Sequence, residues 1–221
     1  MEKELNQISQ GFYEDYVLIK RCLIDYGFIE RLLDGSKYWI KGCRIMNMIS
    51  NELRDNLKFQ FDISRQLLEY HLSSLQQREY TWRPSINGLH IHNKEGTWYA
   101  DWPETEDYEM GAASIAWTMW HIIYWWEMVF DYSFGNGTLQ RQDIRCDSDV
   151  ETAKEKIKSL TDRWEKTFTE LSDEDLLATK YTKWPFTDLP FHKLCSWLNL
   201  ELMKNASEIG YCRFHYASTQ Q

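Results

Sequence analysis

Six histidines are the residues of this chain best suited to acid–base or metal chemistry, and His121 is the most informative of them. It lies in a long apolar segment, with Trp117 four residues before it and Trp125 four residues after it. Residues at this spacing share one face of a helix, so the imidazole is predicted to point inward with the two indoles. An inward histidine is either a hydrogen-bonded core residue or a ligand, and the segment itself leaves both readings open.

A polar pair on the last predicted helix offers His121 a partner. Asn205 falls between Leu202 and Ile209 on the apolar face of that helix. Glu201 lies one turn before Asn205, at the edge of the same face. A buried polar group without a partner costs about 1–3 kcal/mol, so His121 is expected to meet this pair. The contact would be either a hydrogen-bond network that fixes helix register or a site with chemistry.

The other candidate residues carry weaker signals. His71 lies on an apolar helical stripe and is a possible third inward polar group. His90 and His92 alternate as in a strand and could bind a metal, while His192 and Cys195 lack a second pair to complete a metal site. Motifs for a phosphate loop, a dinucleotide site, a nucleophilic serine elbow or a zinc protease are absent from the sequence.

Four long segments predict the helices that must position these residues. They cover residues 51–75, 112–134, 148–171 and 190–216. Ser148 and Glu151 have the spacing of a capping box, and Pro190 suits the first turn of a helix. Four helices with one long early connection predict an all-α fold, a four-helix bundle with a crossover.

The connection and the N-terminal region are harder to assign. Residues 76–110 are predicted to form a long irregular loop between the first and second bundle helices. Residues 1–50 are predicted to be an N-terminal helical extension packed on a bundle of residues 51–221. Within the extension, residues 12–33 have a helical pattern that Asp34-Gly35-Ser36 breaks, and residues 38–40 have the pattern of a short strand.

Composition excludes several classes of protein. Twenty-five basic residues against 34 acidic ones give a net charge of −9, which disfavours binding to nucleic acid. Five cysteines without a CxxC motif, behind a charged start with no signal peptide, indicate a reduced, cytoplasmic protein. The apolar run 111–130 contains His121 and Glu127, so it is interpreted as a buried helix and no membrane contact is expected.

Three segments of the chain resemble helices of the DinB/YfiT-like superfamily, and their order along the chain agrees. Residues 114–127, SIAWTMWHIIYWWE, resemble the second helix of that family. Residues 72–84, LSSLQQREYTWRP, resemble the exit from its first helix, and residues 197–213, WLNLELMKNASEIGYCR, resemble its last helix. The resemblance covers about residues 50–217 and implies a four-helix bundle.

The resemblance also implies a metal site, because many members of the family hold a divalent metal through three histidines. One of these comes from the second helix and two, spaced four apart, come from the last. Carried over, the ligands fall on His121, Glu201 and Asn205, so one histidine is kept and two are replaced. A carboxylate and a neutral amide are poor substitutes for imidazoles on zinc or nickel, so either no cofactor or a weakly bound divalent metal is expected.

The sequence therefore supports two candidate functions. The first is a DinB-like small-molecule-binding or stress-related protein with a degenerate metal site. Its pocket would be lined by Trp117 and Trp125, with Trp120 and Trp197 as further lining residues and His71 as a third polar group. The alternative is a metal-dependent thiol S-transferase or hydrolase-like enzyme that uses an altered His/Glu/Asn triad. A small-molecule ligand is the expected partner, and a homodimer is left open.

Overall fold

The structure is a computed structural model that describes residues 16–40, 43–105 and 107–220. The chain divides into two compact units, residues 1–55 and 56–221. The predicted boundary fell at residue 50, and the expected packing of the N-terminal unit on the bundle stays a prediction.

Between residues 16 and 40, the first unit contains one helix and one hairpin. Helix α1 spans Tyr16–Asp25, and strands β1 (Ile29–Arg31) and β2 (Tyr38–Ile40) pair antiparallel. The strand predicted at residues 38–40 is confirmed.

The helix predicted over residues 12–33 is too long, because Gly27 has a φ of 73° and turns the chain into β1. Its first residues, before Tyr16, lie outside the described part of the chain. The predicted break at 34–36 is the turn of the hairpin, where a carboxylate oxygen of Asp34 accepts a hydrogen bond from the Ser36 amide at 2.9 Å.

Four long helices confirm the all-α prediction. They are α2 (Cys43–Ser73), α4 (Ile115–Phe134), α5 (Val150–Glu170) and α7 (Phe191–Thr219). Helix α2 begins eight residues before the predicted start at 51, and the boundary between the two units falls inside it.

Helix α4 is the most buried element, as its apolar sequence predicts. Ser114 caps it by accepting a hydrogen bond from the Trp117 amide, and the helix packs against both α5 and α7. The opposite helix, α2, contacts α7 through a hydrogen bond from Asn199 to the Leu57 carbonyl. It contacts α5 through ion pairs that Arg65 makes to Asp162 and Glu165. These contacts close a four-helix bundle.

The connection from α2 to α4 is more ordered than the irregular loop that was predicted. It contains a short helix, α3 (Gln77–Tyr80), and a hairpin of β3 (Ile91–Lys94) and β4 (Thr97–Ala100). Asn93 closes the hairpin turn by accepting a hydrogen bond from the Gly96 amide at 3.0 Å. The sequence signal was the alternation of His90, Ile91 and His92, which was too short to predict a pair of strands.

The capping box predicted at Ser148 is wrong by one residue. Asp149 caps α5 and accepts a hydrogen bond from the Thr152 amide at 2.8 Å. The backbone carbonyl of Ser148 instead accepts a hydrogen bond from the Gln77 side chain, which also bonds the Val150 amide. A contact with α3, distant in sequence, therefore fixes where α5 begins. A five-residue helix, α6 (Asp173–Leu177), follows α5.

Candidate functional site

His121 and Asn205 meet in the interior of the bundle. His121, on α4, is 6% exposed, and Asn205, on α7, is fully buried. The imidazole Nδ1 and the amide Oδ1 are 3.0 Å apart. The amide nitrogen of Asn205 donates to the backbone carbonyl of Glu201 at 2.7 Å. The pair thus joins the two helices through a single side-chain hydrogen bond.

The orientation of the Asn205 amide determines which nitrogen of His121 carries the proton. Because the amide nitrogen donates to the Glu201 carbonyl, the amide oxygen faces the imidazole and can only accept a hydrogen bond. Nδ1 is therefore the protonated nitrogen, and the lone pair of the neutral ring lies on Nε2. Within the described residues, no hydrogen-bonding partner is found for Nε2.

Burial keeps this imidazole uncharged at neutral pH. Desolvation lowers the pKa of His121 to about 4, and the positive charge of Lys204 acts in the same direction. The hydrogen bond to Asn205 opposes the shift but does not cancel it. The side chain is therefore suited to accept a hydrogen bond or bind an electrophile, and unsuited to act as a cation.

Aromatic rings enclose His121 on two sides. Its ring stacks on Trp117, with centroids 4.7 Å apart, and contacts the edge of Trp125 at 5.3 Å. Both indoles belong to α4, as the four-residue spacing predicted. Trp125 in turn contacts Trp197 at 4.8 Å and Trp184 at 5.2 Å.

Glu201 and His71 do not join the pair through their side chains. The carboxylate of Glu201 contacts the ammonium of Lys204 at 3.2 Å, and only its backbone carbonyl reaches Asn205. The ring of His71 instead lies against the backbone of Gly210, where an added Cβ would come within 2.4 Å of the imidazole Nε2. His71 thus occupies a close contact between α2 and α7.

A cleft of about 460 Å³ opens one turn from the His121–Asn205 pair. It lies between the start of α4 and the second half of α7, and Trp117 links it to the pair by lining its wall and stacking on His121. Of the side chains predicted to line a pocket or to form the site, Trp117 alone is among the lining residues of this cleft. The other large or polar side chains that line the cleft are Leu89, Asp107, Met110, Thr118, Lys204, Ser207, Glu208, Tyr211 and Cys212.

The long connection holds the wall of this cleft in place. The Ser85 hydroxyl donates to the Met110 carbonyl at 3.2 Å, and the Ser114 amide donates to the Leu89 carbonyl at 2.9 Å. Gly88 approaches the Ala112 carbonyl so closely that a Cβ there would lie 2.1 Å from its oxygen. A side chain at position 88 would therefore displace the segment that leads into α4.

His90 and His92, whose spacing suggested a metal pair, have separate partners in the structure. His90 is buried, with Nε2 2.7 Å from the Ser85 carbonyl. His92 is half-exposed and its Nδ1 lies 3.2 Å from the Asp101 carboxylate. Each imidazole therefore has its own partner, and the two rings do not share a ligand.

The fold and the site together define a class of protein: a four-helix bundle whose second helix presents an inward histidine to the last helix. A family model described as the DinB superfamily matches residues 60–209, which is more than half of the chain. The chain therefore belongs to the DinB superfamily, as the resemblance implied.

Other comparisons add less. A second model, described as an uncharacterised protein conserved in bacteria (DUF2087), matches residues 1–40. Neither a curated protein nor a solved structure matches the chain. Among the helices of the described residues, none combines the length and the apolar character needed to cross a bilayer.

Proposed function

We propose that this chain is a small-molecule-binding member of the DinB superfamily that works without the three-histidine metal site of its relatives. The ligand would occupy the cleft between the start of α4 and the second half of α7. The observation that carries the proposal is this cleft, whose Trp117 wall is stacked on the buried His121.

The size and lining of the cleft support binding of a small amphipathic molecule. Its 460 Å³ lie within the range of about 300–1,000 Å³ that is usual for ligand pockets. Leu89, Met110 and Trp117 offer apolar surface, while the polar lining includes Lys204, Ser207 and Glu208 on α7 and Asp107 before α4. An apolar wall with a few polar groups is the common pattern of such sites.

The contacts of the two candidate ligands on α7, Glu201 and Asn205, support the absence of a metal from the proposed function. The Asn205 amide uses its oxygen on His121 and its nitrogen on the Glu201 carbonyl. The Glu201 carboxylate is paired with Lys204. In the described part of the chain, no group of three histidine, cysteine or acidic side chains is placed to hold a metal ion. A neutral amide and a carboxylate that is already held in an ion pair do not fit a zinc or nickel ion.

A cleft-filling variant tests where the ligand binds. Ser207 lines the cleft and is exposed, so Ser207→Trp would occupy it without altering the core. Ser218→Trp is the matched control, because Ser218 is exposed on the same helix but does not line the cleft. Both serines donate to a carbonyl of the preceding turn, so the two changes lose comparable hydrogen bonds.

The measurement is saturation-transfer NMR with a library of aromatic and thiol-bearing fragments. We expect fragments that bind the wild type and Ser218→Trp and do not bind Ser207→Trp. Fragments that bind Ser207→Trp as well as they bind the wild type would show that the cleft is not the site. The metal part is tested separately by elemental analysis after chelator treatment. One equivalent of zinc or nickel that is retained by the wild type and lost in His121→Ala would favour the metal-dependent transferase or hydrolase.

A further inference from the structure

The wall of the cleft that leads into α4 carries negative charge and no positive charge. It is formed by residues 107–118, and the chain contains no lysine or arginine between Lys94 and Arg141. Eight acidic residues fall in that stretch, five of them within residues 101–109, where the chain reaches the cleft. Asp107, one of these five, lines the cleft. This wall therefore attracts a cation and repels an anion.

The opposite wall is one face of α7, and its positive charge is already paired. Lys204, Glu208 and Tyr211 recur at three- and four-residue spacings, so their side chains share this face. Among the described residues that line the cleft, Lys204 has the only basic side chain. Its ammonium lies 3.2 Å from the carboxylate of Glu201, which does not line the cleft. The lining thus contains two carboxylates and one ammonium that a third carboxylate compensates.

Local hydrogen bonding holds the Asp107 carboxylate in place. One of its oxygens accepts a hydrogen bond from the Glu109 amide at 2.6 Å, which caps the single helical turn of residues 108–110. No partner for the other oxygen is found in the described part of the chain. The carboxylate is therefore oriented by the backbone and has a free acceptor for a ligand.

Two aromatic rings of the cleft favour the same charge. The indole N–H of Trp117 donates to the Asp101 carbonyl at 2.8 Å, so Trp117 offers the cleft ring surface and no hydrogen-bond donor. Tyr211, on the opposite wall, is 70% exposed. The face of an aromatic ring attracts a cation within about 6 Å of its centre, because the ring quadrupole is negative there. The rings and the carboxylates therefore select the same class of ligand.

We propose that the ligand of this cleft is a small organic amine, positively charged at neutral pH, that carries an apolar or aromatic body. This inference rests on the proposed function, in which the cleft binds a small molecule. The ammonium group would lie near the Asp107 carboxylate, and the body would lie against Leu89, Met110 and Trp117. A cleft of about 460 Å³ has room for both parts.

Three probes of similar shape and different charge test this class of ligand: phenylpropylamine, phenylpropanol and phenylpropanoate. At neutral pH they are positive, neutral and negative, and they share an aromatic body. NMR titration of the wild type gives the three dissociation constants. We expect the amine to bind about five-fold more tightly than the alcohol, and the carboxylate to bind most weakly.

Two variants change the charge of the cleft in opposite directions. Asp107→Asn keeps an oxygen for the Glu109 amide, and it should weaken the amine about three-fold without changing the alcohol. Lys204→Gln removes the ammonium that compensates Glu201, so it should strengthen the amine, a gain that loss of structure cannot cause. Glu155→Gln is the matched control, because Glu155 is exposed on α5, does not line the cleft and also carries one negative charge. It should change none of the three affinities.

Ser207→Trp, which fills the cleft, separates this inference from the proposed function. Suppose that Ser207→Trp loses the probes, but the wild type binds all three equally or prefers the carboxylate. The cleft would then remain the site, and the class of ligand would be overturned. An amine that binds Ser207→Trp as tightly as the wild type would contradict the location as well as the class. A wild type that binds none of the three probes would also overturn the class.

Discussion

Two buried asparagines of α7, Asn199 and Asn205, lie six residues apart and have different roles. Asn199 faces α2, and its amide nitrogen donates to the Leu57 backbone carbonyl at 2.9 Å. Its amide oxygen is buried and has no partner among the described residues. Asn205 faces α4, and both ends of its amide are hydrogen-bonded, one of them to His121.

The difference shows what distinguishes a packing contact from a candidate site. The partner of Asn199 is a backbone carbonyl inside a helix, which has a helical hydrogen bond of its own. The partner of Asn205 is a titratable side chain, and the amide determines where its proton lies. Burial and polarity are alike at both positions, so the partner decides what each asparagine can do.

The largest effect is expected on metal affinity, when Asn205, which now orients the His121 ring, is replaced by a residue that can bind a metal. The double substitution Glu201→His with Asn205→His would place two imidazoles one turn apart, next to His121. We expect the dissociation constant for zinc to fall about a thousand-fold, or roughly 4 kcal/mol. Calorimetry on chelator-treated wild type and variant measures this change. If the variant folds and binds zinc no better than the wild type, positions 201 and 205 are not the counterparts of the family's ligands.

The second effect is a dependence of stability on pH. The pKa of His121 is lowered from 6.5 to about 4 by burial, so between these values the unfolded chain binds a proton that the folded chain does not. The contribution of His121 to the free energy of unfolding is complete above pH 6.5 and decreases by about 3 kcal/mol as the pH falls to 4. Below pH 4 it does not change further.

Urea unfolding at a series of pH values measures how steeply the free energy of unfolding depends on pH in this range. His121→Gln should remove the corresponding part of this dependence. Equal slopes in the wild type and His121→Gln would show that the imidazole is not buried as described.

A smaller effect is expected from His121→Leu at neutral pH. The change leaves the buried Asn205 oxygen without a donor, which costs about 1–3 kcal/mol in the free energy of unfolding. Chemical denaturation of both proteins gives the difference. A variant as stable as the wild type would mean that the hydrogen bond adds little to the contact between α4 and α7.

The smallest effect is expected from Asn199→Leu. This change removes one hydrogen bond and also removes a buried oxygen that has no partner among the described residues, so the two effects offset each other. We expect a loss below about 1 kcal/mol, smaller than the loss in His121→Leu. Denaturation under the same conditions compares the two. A larger loss at Asn199 than at His121 would reverse the comparison made above.

Local sequence patterns determined the four long helices, the burial of α4 and the inward direction of His121. The reason is that the spacing of apolar residues sets which face of a helix is buried, independently of what covers it. The same pattern placed Asn205 on an apolar face, and the cost of burying an amide unpaired indicated that it needs a partner.

Only the tertiary structure decided that Asn205, and neither the Glu201 carboxylate nor the His71 ring, bonds His121. The Glu201 carboxylate contacts Lys204 and the His71 ring lies against Gly210, although the sequence places both residues on or at the edge of the apolar face of their helices. The tertiary structure also formed the cleft, whose wall depends on contacts between residues 85–89 and 110–114, at opposite ends of the long connection. Such contacts depend on how the chain folds back on itself, and helical periodicity, which repeats over a few residues, contains no information about them.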